Sequence, residues 1–325
     1  MATPATDDGN NNNNNNNLAD KLQDQFRNIP ASPDQDEAKR AMINAMGRVM
    51  GVPGEALLVQ AGVLPQHGAK EKSFVLLDNA CGTGLIAGLL QEKASPVVLQ
   101  ESRIVCADLN ANLVDIIKWR AEKDEWKGAF ETKAADAQDT GLPANSFSHV
   151  VINFAMHIIP NPEAALREAY RLLRPNGILA FTVWAADNTG WIPDMRSAFA
   201  ALPFEAAMPD RVPMAVHGLD QWVDPAGIRA ELVASISSRW EHVRIDTLEH
   251  ATRVDSAEYF VETYDMMRKW MLQSYWSEES RQAATKLGEA GLDKIMIQHL
   301  REKHIGKGWD IKWKSILVTC SKPDC

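Results

Sequence analysis

Cysteine is scarce in this chain, and none of it is arranged for a staple or a metal. Cys81, Cys106, Cys320 and Cys325 have neither disulfide nor metal-ligand spacing, so the sequence reads as a reduced, cytoplasmic protein. No apolar run approaches the roughly 20 residues that span a bilayer. The first residues carry neither a basic nor an apolar leader segment, so no secretory signal is read there. Basic residues are outnumbered, 34 against 43 acidic ones, and the net charge of −9 lacks the basic face that a nucleic-acid backbone requires. His-Glu-x-x-His spacing is missing, no magnesium-type acidic cluster stands out, and no P-loop lysine follows a glycine loop. These absences leave a small-molecule partner as the expectation, with no nucleic acid, no membrane and no metal.

What is present divides the chain into stretches of different pattern. Residues 1–17 end in the asparagine run Asn10 to Asn17, which buries nothing and reads as a disordered tail. Residues 18–70 read as an N-terminal helical cap. "LADKLQDQFRNI" and "DEAKRAMINAMGRVMG" place apolar residues three and four apart, and Gly51 and Pro53 are expected to end the second helix. From 71 to 186 strand and helix signals alternate. "SFVLLDNA", "SRIVCADLN", "FETKAADA", "FSHVVINFAM" and "GILAFTVW" are apolar strands separated by helices such as "NPEAALREAYRLL". That pattern predicts an α/β fold with a mostly parallel sheet covered on both faces.

After Trp184 the alternation breaks. Residues 187–223 are rich in Pro, Trp and Met and read as a lid insertion, followed by a core helix and strand over 224–254. Residues 255–308 read as a helical substrate cap and 309–325 as a closing strand. Eight of the ten tryptophans fall at or after Trp184. Core filling accounts for many of them, yet Trp, Met and Pro together also suit a lid over an apolar ligand.

The stretch "VLLDNACGTGLIAGLL" carries the chemistry. Gly82-Thr83-Gly84-Leu85-Ile86-Ala87 satisfies G-x-G-x-x-G/A, which alone would pass for a dinucleotide fingerprint. A pyrophosphate, however, seeks the positive end of the following helix. Asp78, a carboxylate just ahead of the turn, serves better for a ligand with an amino group. Asp108 ends the second strand, where a carboxylate can accept ribose hydroxyls, as in nicotinamide-cofactor sites. Asp136, in "AADAQDTGLP", can take an adenine amino group. The oxidoreductase pair Tyr-x-x-x-Lys is missing, since Tyr170 is followed by Arg174 instead. Each acid could instead cap a turn. Three acids at three successive strand ends, where doubly wound folds bind ligands, point together to an adenosine ligand.

The motifs "LLDNACGTG", "CADLN", "AADAQDTGLP" and "VVINFAMHIIPNPEAALREAYRLLRPNGILAFTVW" resemble those of class I S-adenosylmethionine-dependent methyltransferases. More narrowly, the chain resembles the fungal natural-product methyltransferases that include the gliotoxin thiomethyltransferase and alkaloid O-methyltransferases. The resemblance runs from about Phe74 to Pro203 and returns in "ILVTCSKP". It implies a Rossmann-like fold with a seven-stranded, mostly parallel sheet, an N-terminal helical extension and helical lid insertions. The implied cofactor is S-adenosyl-L-methionine and the product S-adenosyl-L-homocysteine. By analogy Asp78, Ala80, Gly82 and Gly84 line the methionine end, Asp108 and Leu109 the ribose, and Asp136 and Ala137 the adenine, while Asn153 and Phe154 lie near the sulfonium.

Methyl transfer needs acceptor and methyl held in line and water excluded. A hydroxyl acceptor must also lose a proton, and His157, just past the fourth strand, is the candidate base. A structural histidine is the alternative. His217, Met156, Trp191, Trp222, Met267 and Trp270 are candidate acceptor-pocket residues, although Met and aromatic stripes at helical spacing also build plain core. The expectation is metal-independent transfer to a hydroxyl, an N-hydroxyl included, of a planar fungal alkaloid or similar metabolite. Three rivals remain: S-methylation of a small-molecule thiol, a non-catalytic cofactor-binding regulator, and a nicotinamide oxidoreductase.

Overall fold

The computed structural model describes residues 36–66, 70–234 and 239–324. The expected tail over 1–17 and the first N-terminal helix lie outside the described residues. Seven strands form one sheet in the order β3-β2-β1-β4-β5-β7-β6. They are β1 Val75–Asn79, β2 Arg103–Asp108, β3 Ala129–Ala134, β4 Phe147–Asn153, β5 Leu173–Trp184, β6 Glu241–Val254 and β7 Trp309–Ser321. β1 to β5 run parallel, and β7 enters antiparallel between β5 and β6. β1, β2 and β4 are buried on both faces, as the apolar runs predicted, whereas β3, read from "FETKAADA", is the sheet's edge strand and none of its residues is buried.

Eleven helices accompany the sheet among the described residues. They are α1 Asp36–Gln60, α2 Leu85–Lys93, α3 Pro96–Gln100, α4 Ala111–Lys123, α5 Pro162–Leu172, α6 Ile192–Phe199, α7 Pro225–Ala234, α8 Ala257–Thr263, α9 Asp265–Tyr275, α10 Glu278–Leu287 and α11 Glu289–Lys303. Local chemistry starts several of them. Asn110 caps α4 by accepting from the Asn112 amide at 2.8 Å, and Asn161 caps α5 by accepting from Ala164 at 2.9 Å, with Pro162 in the first turn.

One apolar core joins α5 and α7 to one side of the sheet, and a second packs α2, α3 and the end of α1 on the other. A third core lies within the cap, where α6 and α8 to α11 enclose Phe199, Phe260, Trp270 and Trp276. Asp194 of α6 ties that cap to the sheet, accepting from Trp309 Nε1 at 2.7 Å and pairing with Lys303 at 2.7 Å.

Gly51 and Pro53 do not end α1, contrary to the expectation. The helix runs on to Gln60 with both residues inside it. Proline has no amide to give the carbonyl four residues back. That carbonyl, Val49 O, accepts instead from His250 Nε2 of β6 at 2.8 Å. A tertiary bond thus replaces the lost helical one. Gly54, one residue on, has no Cβ to crowd Leu89 of α2, whose Cδ1 would lie 3.1 Å from such an atom.

Candidate active site

A cavity of about 350 Å³ opens at the carboxyl ends of β1, β2, β4 and β5. The chain's direction across the sheet reverses between β1 and β4, the place where doubly wound sheets bind ligands. The sheet supplies Asp78, Asp108, Asn153 and Trp184 to the wall. Further walls come from the turns that follow β1 to β4, from Trp313 of β7, from α1 (Met46, Met50), α9 (Met266, Met267, Trp270) and the segments around 188–191 and 212–216.

The turn after β1 is held by a run of left-handed residues, Ala80 (φ 60°), Gly82 (φ 56°) and Gly84 (φ 74°). Glycine enters that region freely, whereas Ala80 does so at a steric cost of roughly 1–2 kcal/mol. Asp108 fixes the turn from the neighbouring strand: its Oδ2 accepts from the Gly82 amide at 2.8 Å and its Oδ1 from Asn110 at 2.9 Å. Arg120 of α4 holds it from behind, donating Nη1 to the Gly84 carbonyl at 2.9 Å. Arg120 is steadied by Asp124 at 3.5 Å, and Asp124 in turn receives Arg40 Nη1 of α1 at 3.0 Å. Helix α1, the arginine and the turn therefore form one connected unit.

Asp78 is 1% exposed, and neither of its carboxylate oxygens has a hydrogen-bond partner. Burial pushes its pKa up to about 8. A buried acid left without a partner is poised for a ligand that brings a positive charge and N–H donors. Asp108 and Asp136 border the same cavity, and no Lys or Arg does so among the described residues. Three carboxyl groups without a cation fit a ligand carrying an ammonium, a sulfonium, ribose hydroxyls and an adenine amine. They do not fit a pyrophosphate.

Comparison with known proteins agrees with this chemistry. A family model described as "Methyltransferase domain" matches residues 77–181. The methyltransferase tpcH of Aspergillus fumigatus is 30% identical over 267 residues, which cover 82% of this chain and 89% of that protein. The chain belongs to the class I S-adenosylmethionine-dependent methyltransferases. The methyltransferase is also 25% identical to the acetylaranotin bis-thiomethyltransferase of Aspergillus terreus, over 85% of this chain and 91% of that one. A solved phosphoethanolamine N-methyltransferase 2 of Haemonchus contortus in complex with S-adenosyl-L-methionine gives a TM-score of 0.49 at 14% identity, covering 93% of this chain and 60% of that chain. The cofactor of the methyltransferase is S-adenosyl-L-methionine, and the oxidoreductase reading falls away with it.

The structure gathers most of the expected cofactor residues of the methyltransferase around the cavity: Asp78, Ala80, Gly82, Asp108, Leu109, Asp136, Ala137, Asn153 and Phe154. Gly84 does not line it. Its bare Cα faces α4, where a Cβ would lie 3.1 Å from Ile117 Cγ1, so the missing side chain lets the helix pack close. Phe154 leaves β4 in a left-handed conformation (φ 54°), an outlier for an aromatic residue. Its amide donates to Thr182 Oγ1 at 2.9 Å, and its ring lies 4.1 Å from that of Trp184.

Of the expected acceptor residues, Trp191, Met267 and Trp270 line the cavity of the methyltransferase. Met156, Trp222 and His217 do not. Met156 is fully buried in the sheet-side core, because the turn at Phe154 sends Ala155 and His157 to the cavity and Met156 away from it. Trp222 packs in that same core, with its ring 6.4 Å from that of Phe181. His217 spends both ring nitrogens on the backbone, Nε2 on the Met156 carbonyl at 3.2 Å and Nδ1 on the Leu219 amide at 3.1 Å. The reading from sequence missed Met46 and Met50, whose i, i+4 spacing is the same as that of a plain core stripe. It also missed Trp313 of β7, whose ring lies 5.0 Å from that of Trp184.

His157 lines the cavity of the methyltransferase, buried, with no partner for Nδ1. Its own carbonyl accepts from the Val216 amide at 3.0 Å, which ties the loop after β4 to the inserted segment. Burial, with a smaller contribution from His217, lowers its pKa to about 3, so the imidazole is neutral.

Proposed function

We propose that this methyltransferase acts on a hydroxyl, N-hydroxyl included, of a planar fungal alkaloid or related secondary metabolite, without a metal. One observation carries the reading: a neutral imidazole with an unpartnered nitrogen borders the cavity beside the end of β4. S-adenosylmethionine supplies an activated methyl group when bound, and the chain's own residues orient the acceptor and manage its proton. A hydroxyl gains from a base at that position. The low basicity of His157 belongs to the ligand-free cavity. A phenolate forming beside it would favour the imidazolium and raise it. Trp184, Trp191 and Trp313 offer flat apolar surface to a planar acceptor.

The second reading is transfer to a thiol. It is favoured by the 25% identity to a bis-thiomethyltransferase, and by the readier ionisation of thiols, which makes a base matter less. A methyl-transfer screen with phenol, N-hydroxyl and thiol acceptors, read by mass spectrometry, separates the two. For His157→Ala we expect hydroxyl transfer to fall by roughly 10²–10⁴-fold, the usual worth of general-base catalysis. Unchanged transfer at every pH would remove the base and favour the thiol.

A further inference from the structure

The three acids at the cavity are held in three different ways. Asp78 has no partner, and Asp108 takes the backbone amides of Gly82 and Asn110. Asp136 takes a side chain. Gln138 Nε2 donates to its Oδ1 at 3.0 Å and to its Oδ2 at 3.1 Å, and the backbone amide of Gln138 adds a bond to Oδ1 at 2.9 Å. The other end of the same side chain is engaged as well: Gln138 Oε1 accepts from the Asn161 amide at 3.1 Å, where α5 begins. A carboxylate only accepts and a backbone N–H only donates, so the two ends of the glutamine amide cannot be exchanged. Leucine has neither end, glutamate lacks the donor, and lysine lacks the acceptor. Gln138 and Asp136 both line the cavity. The rest of their loop is fastened separately. Glu168 of α5 accepts from the Thr140 amide at 2.9 Å, and Arg171 donates to the Leu142 carbonyl at 2.8 Å.

We infer, taking Asp136 as the acid that receives the adenine amine, that Gln138 is a positioning residue for the cofactor's base. An ionised carboxylate has about four lone-pair sites on its two oxygens. Gln138 occupies both on Oδ1 and one on Oδ2, which leaves one site open and fixes where it points. An amine that arrives there meets a carboxylate already turned to it, so the cost of ordering is met before the ligand binds. A 6-oxo purine brings an oxygen in place of the amine, and two acceptors then face each other. Gln138 thereby sets the preference for a 6-amino base, whichever acceptor atom is methylated.

The test uses the full chain and two ligands that differ at one purine position, S-adenosylhomocysteine (6-amino) and S-inosylhomocysteine (6-oxo). Dissociation constants are measured by calorimetry and folding by urea titration. The wild-type chain is expected to prefer the adenosyl ligand by roughly tenfold or more. In Gln138→Leu that preference should shrink roughly five- to tenfold, the worth of one hydrogen bond, through weaker binding of the adenosyl ligand alone. Gln138→Glu keeps the acceptor for Asn161 but not the donor, and should lose the preference too. Gln138→Lys keeps a donor and should retain the preference within about twofold. A residue with a merely structural role would weaken both ligands alike. Equal weakening of the two ligands, an unchanged preference in Gln138→Leu, or a lysine variant that behaves like the leucine one overturns the inference. No preference in the wild-type chain also overturns it, by taking the amine away from Asp136, and leaves methyl transfer to a hydroxyl standing.

Discussion

The Arg120 guanidinium lies across the bare Cα of Gly88, so close that a Cβ there would come 2.5 Å from its central carbon. From that position it reaches the Gly84 carbonyl and fixes the glycine turn from the side opposite the cavity. Burial lowers the Arg120 pKa from its ordinary value, and Asp124 works against that fall.

Gly88→Ala should separate binding from stability. The substitution favours α2 by roughly 0.5–1 kcal/mol of helix propensity, while the flexible arginine moves aside. We expect thermal stability to change little and the dissociation constant for S-adenosylhomocysteine, measured by calorimetry, to rise several-fold. Unchanged affinity would show that the turn keeps its shape without Arg120.

Asp78 should make both stability and cofactor binding depend on pH. Its folded pKa of about 8 lies above the ordinary value of 3.8. The ligand-free native state therefore holds a proton that the unfolded chain has released. Stability from this group is full below about 4 and is lost as pH rises towards about 8. A cationic ligand should ionise Asp78 on binding, so calorimetry in buffers of different ionisation heat should show proton release near pH 6.5. Asp78→Asn should flatten the stability slope in urea titrations and weaken S-adenosylhomocysteine roughly 100-fold, as breaking a buried ion pair does. Retained affinity would mean that another group holds the ligand's amine.

Buried His157 and half-buried His149 work in the opposite direction. Burial lowers His157 to about 3 and His149 to about 4. Each refuses a proton that the unfolded chain takes up near 6.5, so stability is present above that pH and is lost as pH falls from 6.5 towards 4 and 3. Thermal unfolding between pH 7 and 4.5 should show a fall that His157→Gln reduces. An unchanged slope would place the His157 ring in contact with water.

The pair Pro53 and His250 should be coupled. His250→Leu leaves the Val49 carbonyl without a partner, at a cost of about 1–3 kcal/mol. In a Pro53→Ala background the new amide can bond that carbonyl, and the same His250 change should cost at least half less. A double-mutant cycle by urea unfolding reads the coupling directly. Additive effects would rule out the exchange.

The same pair shows where sequence reasoning stops. Proline and glycine inside an apolar stripe are local stop signals, and the residue that overrides them lies on β6. The acidic side of the cavity was legible because parallel strands read as apolar runs whose carboxyl ends face the cavity. Asp78 and Asp108 lie at or next to such ends, and Asp136 follows a third strand. The acceptor half was less legible. Met156 and His157 are neighbours, and only the left-handed turn at Phe154 decides which of them faces the cavity. Trp222 and Trp270 are both buried tryptophans, and packing sends one to the sheet-side core and the other to the cavity wall.

The bond between Val49 and His250 joins residues 201 apart. At roughly 5–20 residues per second, ribosomal synthesis leaves α1 waiting about 10–40 s before its partner strand exists. Throughout that interval Met46 and Met50 have no finished cavity to face, and the Val49 carbonyl has only water. The cavity wall is therefore the last part to be made: Trp313 of β7 closes it after every other lining residue has been synthesised. A nascent chain halted before β6 should carry the glycine turn and the three acids and still be unable to retain the cofactor.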